Sequence, residues 1–115
     1  MKDKGGSIRR RSFRASLTCR VFFFGDSDFE GEARMLDCST NGCRLISDIS
    51  VTVGQELRLS LFLSDHPWPL KIESAVVRWI AEPEFGLEFI SIRSSLRKRL
   101  RALLMKAASE QRILS

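Results

Sequence analysis

Apolar and polar residues alternate most cleanly between Gln55 and Leu63, where Leu57, Leu59, Leu61 and Leu63 are separated by Glu56, Arg58 and Ser60. A period of two puts successive side chains on opposite faces of an extended strand. Leu17 to Phe24 repeats the pattern with Leu17, Cys19, Val21 and Phe23 on one face, and it stops at Gly25-Asp26-Ser27-Asp28, a cluster of turn formers. Shorter strands are expected over Gly31 to Leu36 and Cys43 to Ile46, joined by a polar turn at Asp37 to Gly42. Between Leu70 and Ala81 the apolar parity changes from Leu70 and Ile72 to Ala75, Val77 and Trp79. A bulge near Glu73-Ser74 accounts for the slip. After the turn Glu82-Pro83-Glu84, Phe85 to Ile92 makes a sixth strand. Six short strands with tight turns predict a mainly β fold, a six-stranded antiparallel barrel, because closure removes exposed edges.

The period then changes. Leu96, Leu100, Leu103 and Ala107 recur at steps of four, three and four after Ser94 and Ser95, which predicts an amphipathic C-terminal α-helix from Ser95 to about Ala108 with a serine N-cap. Its apolar face would plug or flank the barrel. Arg97, Lys98, Arg99, Arg101 and Lys106 fall on the other side and read as a solvated face. Residues 1–14 are expected to form a flexible basic arm, 15–110 the barrel with its helix, and 111–115 a tail.

A chain of 115 residues with 43% hydrophobic content suffices for one core. The apolar run Val21-Phe22-Phe23-Phe24 falls far short of the roughly 20 residues of a membrane span. Arginines and serines interrupt the N-terminal segment, so the apolar core of a secretory signal is missing and a cytoplasmic protein is expected. The three cysteines Cys19, Cys38 and Cys43 suit a reducing compartment better than a disulfide framework and read as small buried hydrophobes. With His66 the only histidine, in a Pro-flanked turn beside Trp68, no metal set is expected.

Charge sharpens the picture more than its total of +5 does. Residues 1–20 sum to +6, residues 21–92 to −7 and residues 93–115 to +6. Basic ends around an acidic middle indicate a localised anion site, because clustered charge focuses its field. Arg9-Arg10-Arg11-Ser12-Phe13-Arg14 supplies four guanidiniums in six residues. Each is a planar fork able to grip phosphate oxygens or the O6 and N7 edge of guanine. Asp37-Cys38-Ser39-Thr40-Asn41-Gly42 is the second candidate. Read alone, it is a strand-to-strand turn in which glycine permits a positive φ. Read as a site, Asp37 accepts from base N–H groups or orients an arginine, Ser39 offers a hydroxyl, and Gly42 lets backbone approach a ligand.

Taken together these segments resemble the PilZ family, whose signature is RxxxR followed by [D/N]xSxxG. Arg10 and Arg14 fill the first half; Asp37, Ser39 and Gly42 fill the second. Neighbouring registers fail, since Arg9 would need an arginine at Phe13 and Arg11 one at Ala15. RxxxR recurs at Arg93 with Arg97 and at Arg97 with Arg101, whereas DxSxxG occurs once. The resemblance covers nearly the whole chain and implies a receptor for cyclic di-GMP that changes conformation and signals to an unidentified downstream protein, in motility or biofilm machinery among others. It further implies that Arg10 and Arg14 meet phosphates and guanine edges, that Asp37 and Ser39 meet a guanine or brace the arginines, and that Gly42 is the permissive backbone position. Arg9, preceding the motif, accompanies binding of two stacked ligand molecules in such domains. Trp79 is either a ligand-facing ring or a core tryptophan. An alternative is a PilZ-like scaffold acting independently of nucleotide. Nucleic acid is disfavoured as a partner. With no Tyr, no nucleophile–base pair and no phosphate-cradling loop in the sequence, no enzyme and no cofactor are expected.

Overall fold

The computed structural model describes residues 14–114. Among the described residues seven strands precede one helix: β1 (Arg14–Ala15), β2 (Cys19–Phe24), β3 (Glu30–Ser39), β4 (Gly42–Ile46), β5 (Glu56–Phe62), β6 (Leu70–Ala81), β7 (Glu84–Ser91) and α1 (Ser94–Leu114). The order β3-β2-β5-β6-β7-β4 closes on itself through a β3–β4 pairing, giving the expected six-stranded barrel, antiparallel throughout. The strand without a counterpart in the sequence reading is β1. It pairs with the end of β3 beyond β2, with Arg14 opposite Ser39 and Ala15 opposite Cys38.

Alternation builds the interior. Val21 and Phe23 from β2, Leu57, Leu59 and Leu61 from β5, and Val77 from β6 are all at most 1% exposed. Phe23 meets Phe85 edge-on at 5.9 Å between ring centroids, an arrangement that suits the ring quadrupoles. The β2–β5 ladder runs from Arg20↔Phe62 to Phe24↔Arg58 without a break in register.

The other wall is irregular at Ile90 of β7, left over between Ser74↔Ser91 and Ala75↔Phe89, and in three further places. Leu57 faces Ala75 and Leu59 faces Ile72, so Glu73 and Ser74 together oppose Arg58; this is the bulge expected from the parity change. A second bulge in β6 was not anticipated. Val77 faces Leu87 and Trp79 faces Gly86, which leaves Arg78 as the extra residue and turns Trp79 away from the core face shared by Ala75 and Val77. The third lies in β3, where Met35 faces Leu45 and Asp37 faces Arg44, leaving Leu36 as the extra residue. An inserted residue reverses the facing of those beyond it.

Of the expected polar turn at Asp37 to Gly42, only Thr40 and Asn41 lie outside the strands. Asp37, Cys38 and Ser39 finish β3 and Gly42 opens β4. The polar composition of the segment reflects the bulge at Leu36, which puts Asp37 at the surface, rather than a long loop.

The helix is longer than its periodicity suggested, and Leu104, outside the predicted stripe, is as fully buried as Leu100. It packs on β1 and the end of β3. Its basic side is not uniformly solvated. Arg99 donates from Nε and NH2 to both oxygens of Asp65 at 2.8 Å and from NH2 to the Trp68 carbonyl at 3.3 Å, tying the β5–β6 loop to α1. That guanidinium holds the Asp65 carboxyl below its usual range. Arg97 reaches from α1 to the Thr40 carbonyl at 2.9 Å.

Candidate functional site

Two sequence segments separated by a strand and a hairpin return meet at the end of β3. Arg14, the second arginine of the N-terminal cluster, stands directly opposite Ser39. Arg9, Arg10 and the Arg14 side chain lie outside what the structure describes. Asp37 is two residues back along the same strand.

Ser39 is 2% exposed. Its Oγ accepts from the Asn41 N–H at 3.1 Å and donates to the Gly42 carbonyl at 3.4 Å. The hydroxyl therefore holds the β3–β4 turn in shape, a local side-chain-to-backbone bond of the kind serine makes at turns. Arg97 satisfies the Thr40 carbonyl from outside the same turn.

One expectation for Gly42, a positive φ in the turn, needs correcting. Among the described residues the glycine with positive φ is Gly54, so Gly42 is not required for a left-handed turn. A Cβ at Gly42 would collide with the Leu87 carbonyl oxygen on β7. Gly42 pairs with Glu88 across that junction, and the Asn41 carbonyl accepts from the Phe89 N–H at 2.8 Å. The missing side chain allows β4 to dock against β7, a close backbone approach within the barrel.

From Asp37 a row of residues runs across the outer surface in register: Asp37↔Arg44, Arg44↔Gly86 and Gly86↔Trp79. Arg44 donates from Nε to Asp37 Oδ2 at 2.9 Å and from NH1 to Glu84 Oε1 at 3.1 Å. Trp79 is 42% exposed and its ring occupies the space a side chain at Gly86 would need. Asp37, Arg44, Arg78 and Trp79 line a shallow concavity of about 210 Å³. Hollows of about 370 and 530 Å³ elsewhere on the surface hold none of the motif residues, so size alone would misplace the site. The concavity offers an aromatic ring, carboxylate oxygens and guanidiniums on one surface, a set suited to a planar base with an attached anion.

The structure thus brings Arg14, Asp37, Ser39 and Gly42 together and sets Trp79 on the surface rather than in the core. Arg44 and Glu84 were not singled out from sequence, and Arg97 only as part of the basic helix face and the recurring RxxxR pattern. Arg44 carried one usable signal, a cation two residues past Gly42 at an outward position of β4; its partners Asp37 and Glu84 become visible only once β3, β4 and β7 are in register. Among the described residues no group of three or more His, Cys, Asp or Glu is placed to hold a metal, and no helix is long and apolar enough to cross a membrane.

Residues 8–106 match the PilZ domain model. No curated protein matches the sequence. Among solved structures, the chain resembles the Bacillus subtilis inhibitor of motility MotI/DgrA, with 22% identity and a TM-score of 0.77 over 90% of this chain and 53% of that one. It also resembles YcgR from Escherichia coli in complex with c-di-GMP, with 17% identity and a TM-score of 0.76 over 90% and 48% of the two chains. The PilZ domain of YcgR with c-di-GMP aligns at 14% identity and a TM-score of 0.66 over 90% and 95%. The chain spans about half the length of MotI/DgrA and of full YcgR. At these identities the likeness is one of fold.

Proposed function

The chain belongs to the PilZ domain family, and from that premise we propose that it is a receptor for cyclic di-GMP that passes the binding event to a partner protein. The observation that carries the reading is the pairing of Arg14 with Ser39, which sets one arginine position of the signature opposite its serine, near the concavity lined by Asp37 and Trp79. Similar structures hold c-di-GMP.

Each proposed contact follows from side-chain chemistry. Arg10 and Arg14 grip phosphate oxygens or a guanine edge through paired N–H donors. Arg9 adds a third cation and would let a second, stacked ligand molecule bind. Asp37, already oriented by Arg44, accepts from guanine N–H groups. Trp79 offers a face for a base to stack on. Ser39 and Gly42 shape the turn. The role is recognition, with no catalytic step, and the setting is the cytoplasm. Phosphates that neutralise the mutual repulsion of Arg9, Arg10 and Arg14 would change the surface shown to a partner. The likeness to an inhibitor of motility makes the motility machinery the first place to seek it.

Isothermal titration with cyclic di-GMP, and with GMP as control, tests the reading. The wild type should bind the cyclic dinucleotide saturably and GMP far more weakly. Arg10→Ala and Arg14→Ala should each weaken binding at least about tenfold, as expected for losing hydrogen bonds to a charged group. Absence of saturable wild-type binding would sink the proposal.

A further inference from the structure

Of the three cysteines, two face one another. Cys38 on β3 and Cys43 on β4 are direct cross-strand partners, and both are buried, at 0% and 3% exposure. Directly opposed residues in an antiparallel pair have Cα atoms roughly 4.5–5.5 Å apart and side chains on the same face. That separation lies inside the span of about 4.4–6.8 Å that a disulfide bridges. Between them run Ser39, Thr40, Asn41 and Gly42, the turn that carries half of the signature.

We propose that Cys38 and Cys43 form a reversible disulfide that switches the ligand site, a regulation that rests on the cyclic di-GMP reading given above. Cys38 Sγ now donates to the Ser39 carbonyl at 3.2 Å, and Cys43 lines the concavity beside Asp37 and Trp79. Cys43 alternates with the outward-facing Arg44 and its thiol is buried, so peroxide reaches it when the β3–β4 turn opens locally. The Cys43 thiolate attacks one peroxide oxygen, the O–O bond breaks, and after proton transfer water leaves a sulfenic acid on Cys43. Cys38 sulfur then attacks the Cys43 sulfur, the S–S bond forms and a second water departs. Two thiols and one hydrogen peroxide give one disulfide and two waters. Closing the bridge takes Cys38 Sγ away from the Ser39 carbonyl and draws the two Cβ atoms to about 3.8 Å, which reshapes the turn opposite Arg14.

Cys19 is an internal standard. It sits on β2 opposite Met35, so neither of the other cysteines is its cross-strand partner.

The test treats the whole chain with hydrogen peroxide, quenches with catalase, then unfolds and alkylates it for peptide mass analysis. Reduced protein should alkylate at Cys19, Cys38 and Cys43. Oxidised protein should alkylate at Cys19 alone, with the 38–43 segment lighter by about 2 Da. Dithiothreitol should reverse the change. The Cys19→Ser variant should behave identically at the pair, and Cys43→Ala should abolish the mass loss. Cyclic di-GMP titration should show at least about fivefold weaker binding after oxidation, the low end of typical coupling between sites. Three alkylatable thiols after peroxide, or oxygen added to single cysteines with no mass loss, would overturn the disulfide. A disulfide with unchanged affinity would overturn the switch. Failure of the reduced protein to bind at all would instead remove the receptor reading, and the switch with it, while the thiol count still decides the disulfide.

Discussion

The two walls of the barrel are built by different rules. Across β2 and β5 the pairing is unbroken for five consecutive partners, and the inward positions Val21, Phe23, Leu59 and Leu61 are at most 1% exposed. Across β3, β4, β7 and β6 the register slips at Leu36 and at Arg78, and those slips bring Asp37 and Trp79 to the surface. A strict period of two fixes every side chain to one face. An inserted residue re-aims the side chains beyond it at the cost of a disturbed ladder. Both walls bury core side chains, Met35, Leu45 and Val77 as fully as Val21 and Phe23, and the irregular one carries the site as well.

Substitutions can break this division or sharpen it. Phe23→Ala, in the regular wall, should cost about 3–5 kcal/mol of unfolding free energy, read as a lower denaturant midpoint with any ligand loss following the unfolded fraction. Gly42→Ala tests a residue of the irregular wall that barrel closure also needs. Its new methyl meets the Leu87 carbonyl, and the expected cost is about 1–3 kcal/mol, as for other overpacked sites. A Gly42→Ala protein of wild-type midpoint but weakened ligand binding would show that the glycine serves the ligand instead. Trp79→Ala should do the reverse of Phe23→Ala. Its midpoint should move little, since the ring is surface-exposed, while cyclic di-GMP binding should fall by about 1–3 kcal/mol if a base stacks there. Equal loss from Phe23→Ala and Trp79→Ala in both measurements would erase the contrast.

The smallest effect concerns the clamp between Asp65 and Arg99, which belongs to neither wall. Because Arg99 lowers the Asp65 folded-state pKa, the stability it adds is full above the unfolded carboxyl value near 3.9 and disappears as pH falls through the folded value. Asp65→Asn should therefore cost about 1 kcal/mol at neutral pH. The gap from wild type should close on acidification below about pH 4, followed by denaturant midpoints across the range. A gap that stays constant with pH would assign the effect to packing.

The same division explains how far the sequence could be read. Strands whose apolar residues keep parity, such as Gln55 to Leu63, were legible because burial on one face leaves a period of two. The bulge at Glu73-Ser74 was legible because apolar residues lie on both sides of it and reveal the phase change. The bulge at Arg78 was not. Trp79 is apolar, so an inward-facing tryptophan kept the parity of Ala75 and Val77, and only the pairing with Gly86 shows otherwise. Of the site, the signature positions could be found from spacing. The Arg44 link between Asp37 and Glu84 could not, because it depends on cross-strand register over residues far apart in the chain.

Gly42 bears on how such chains are recognised at all. A side chain at Gly42 would meet the Leu87 carbonyl whether or not a nucleotide is bound, so the need for glycine there comes from barrel closure. In lineages that abandon the ligand, the arginines should drift first and the glycine should persist as a relic of barrel closure. A pattern search weighted toward that glycine will therefore gather silent relatives along with true sensors, and the arginines are the positions by which to sort them.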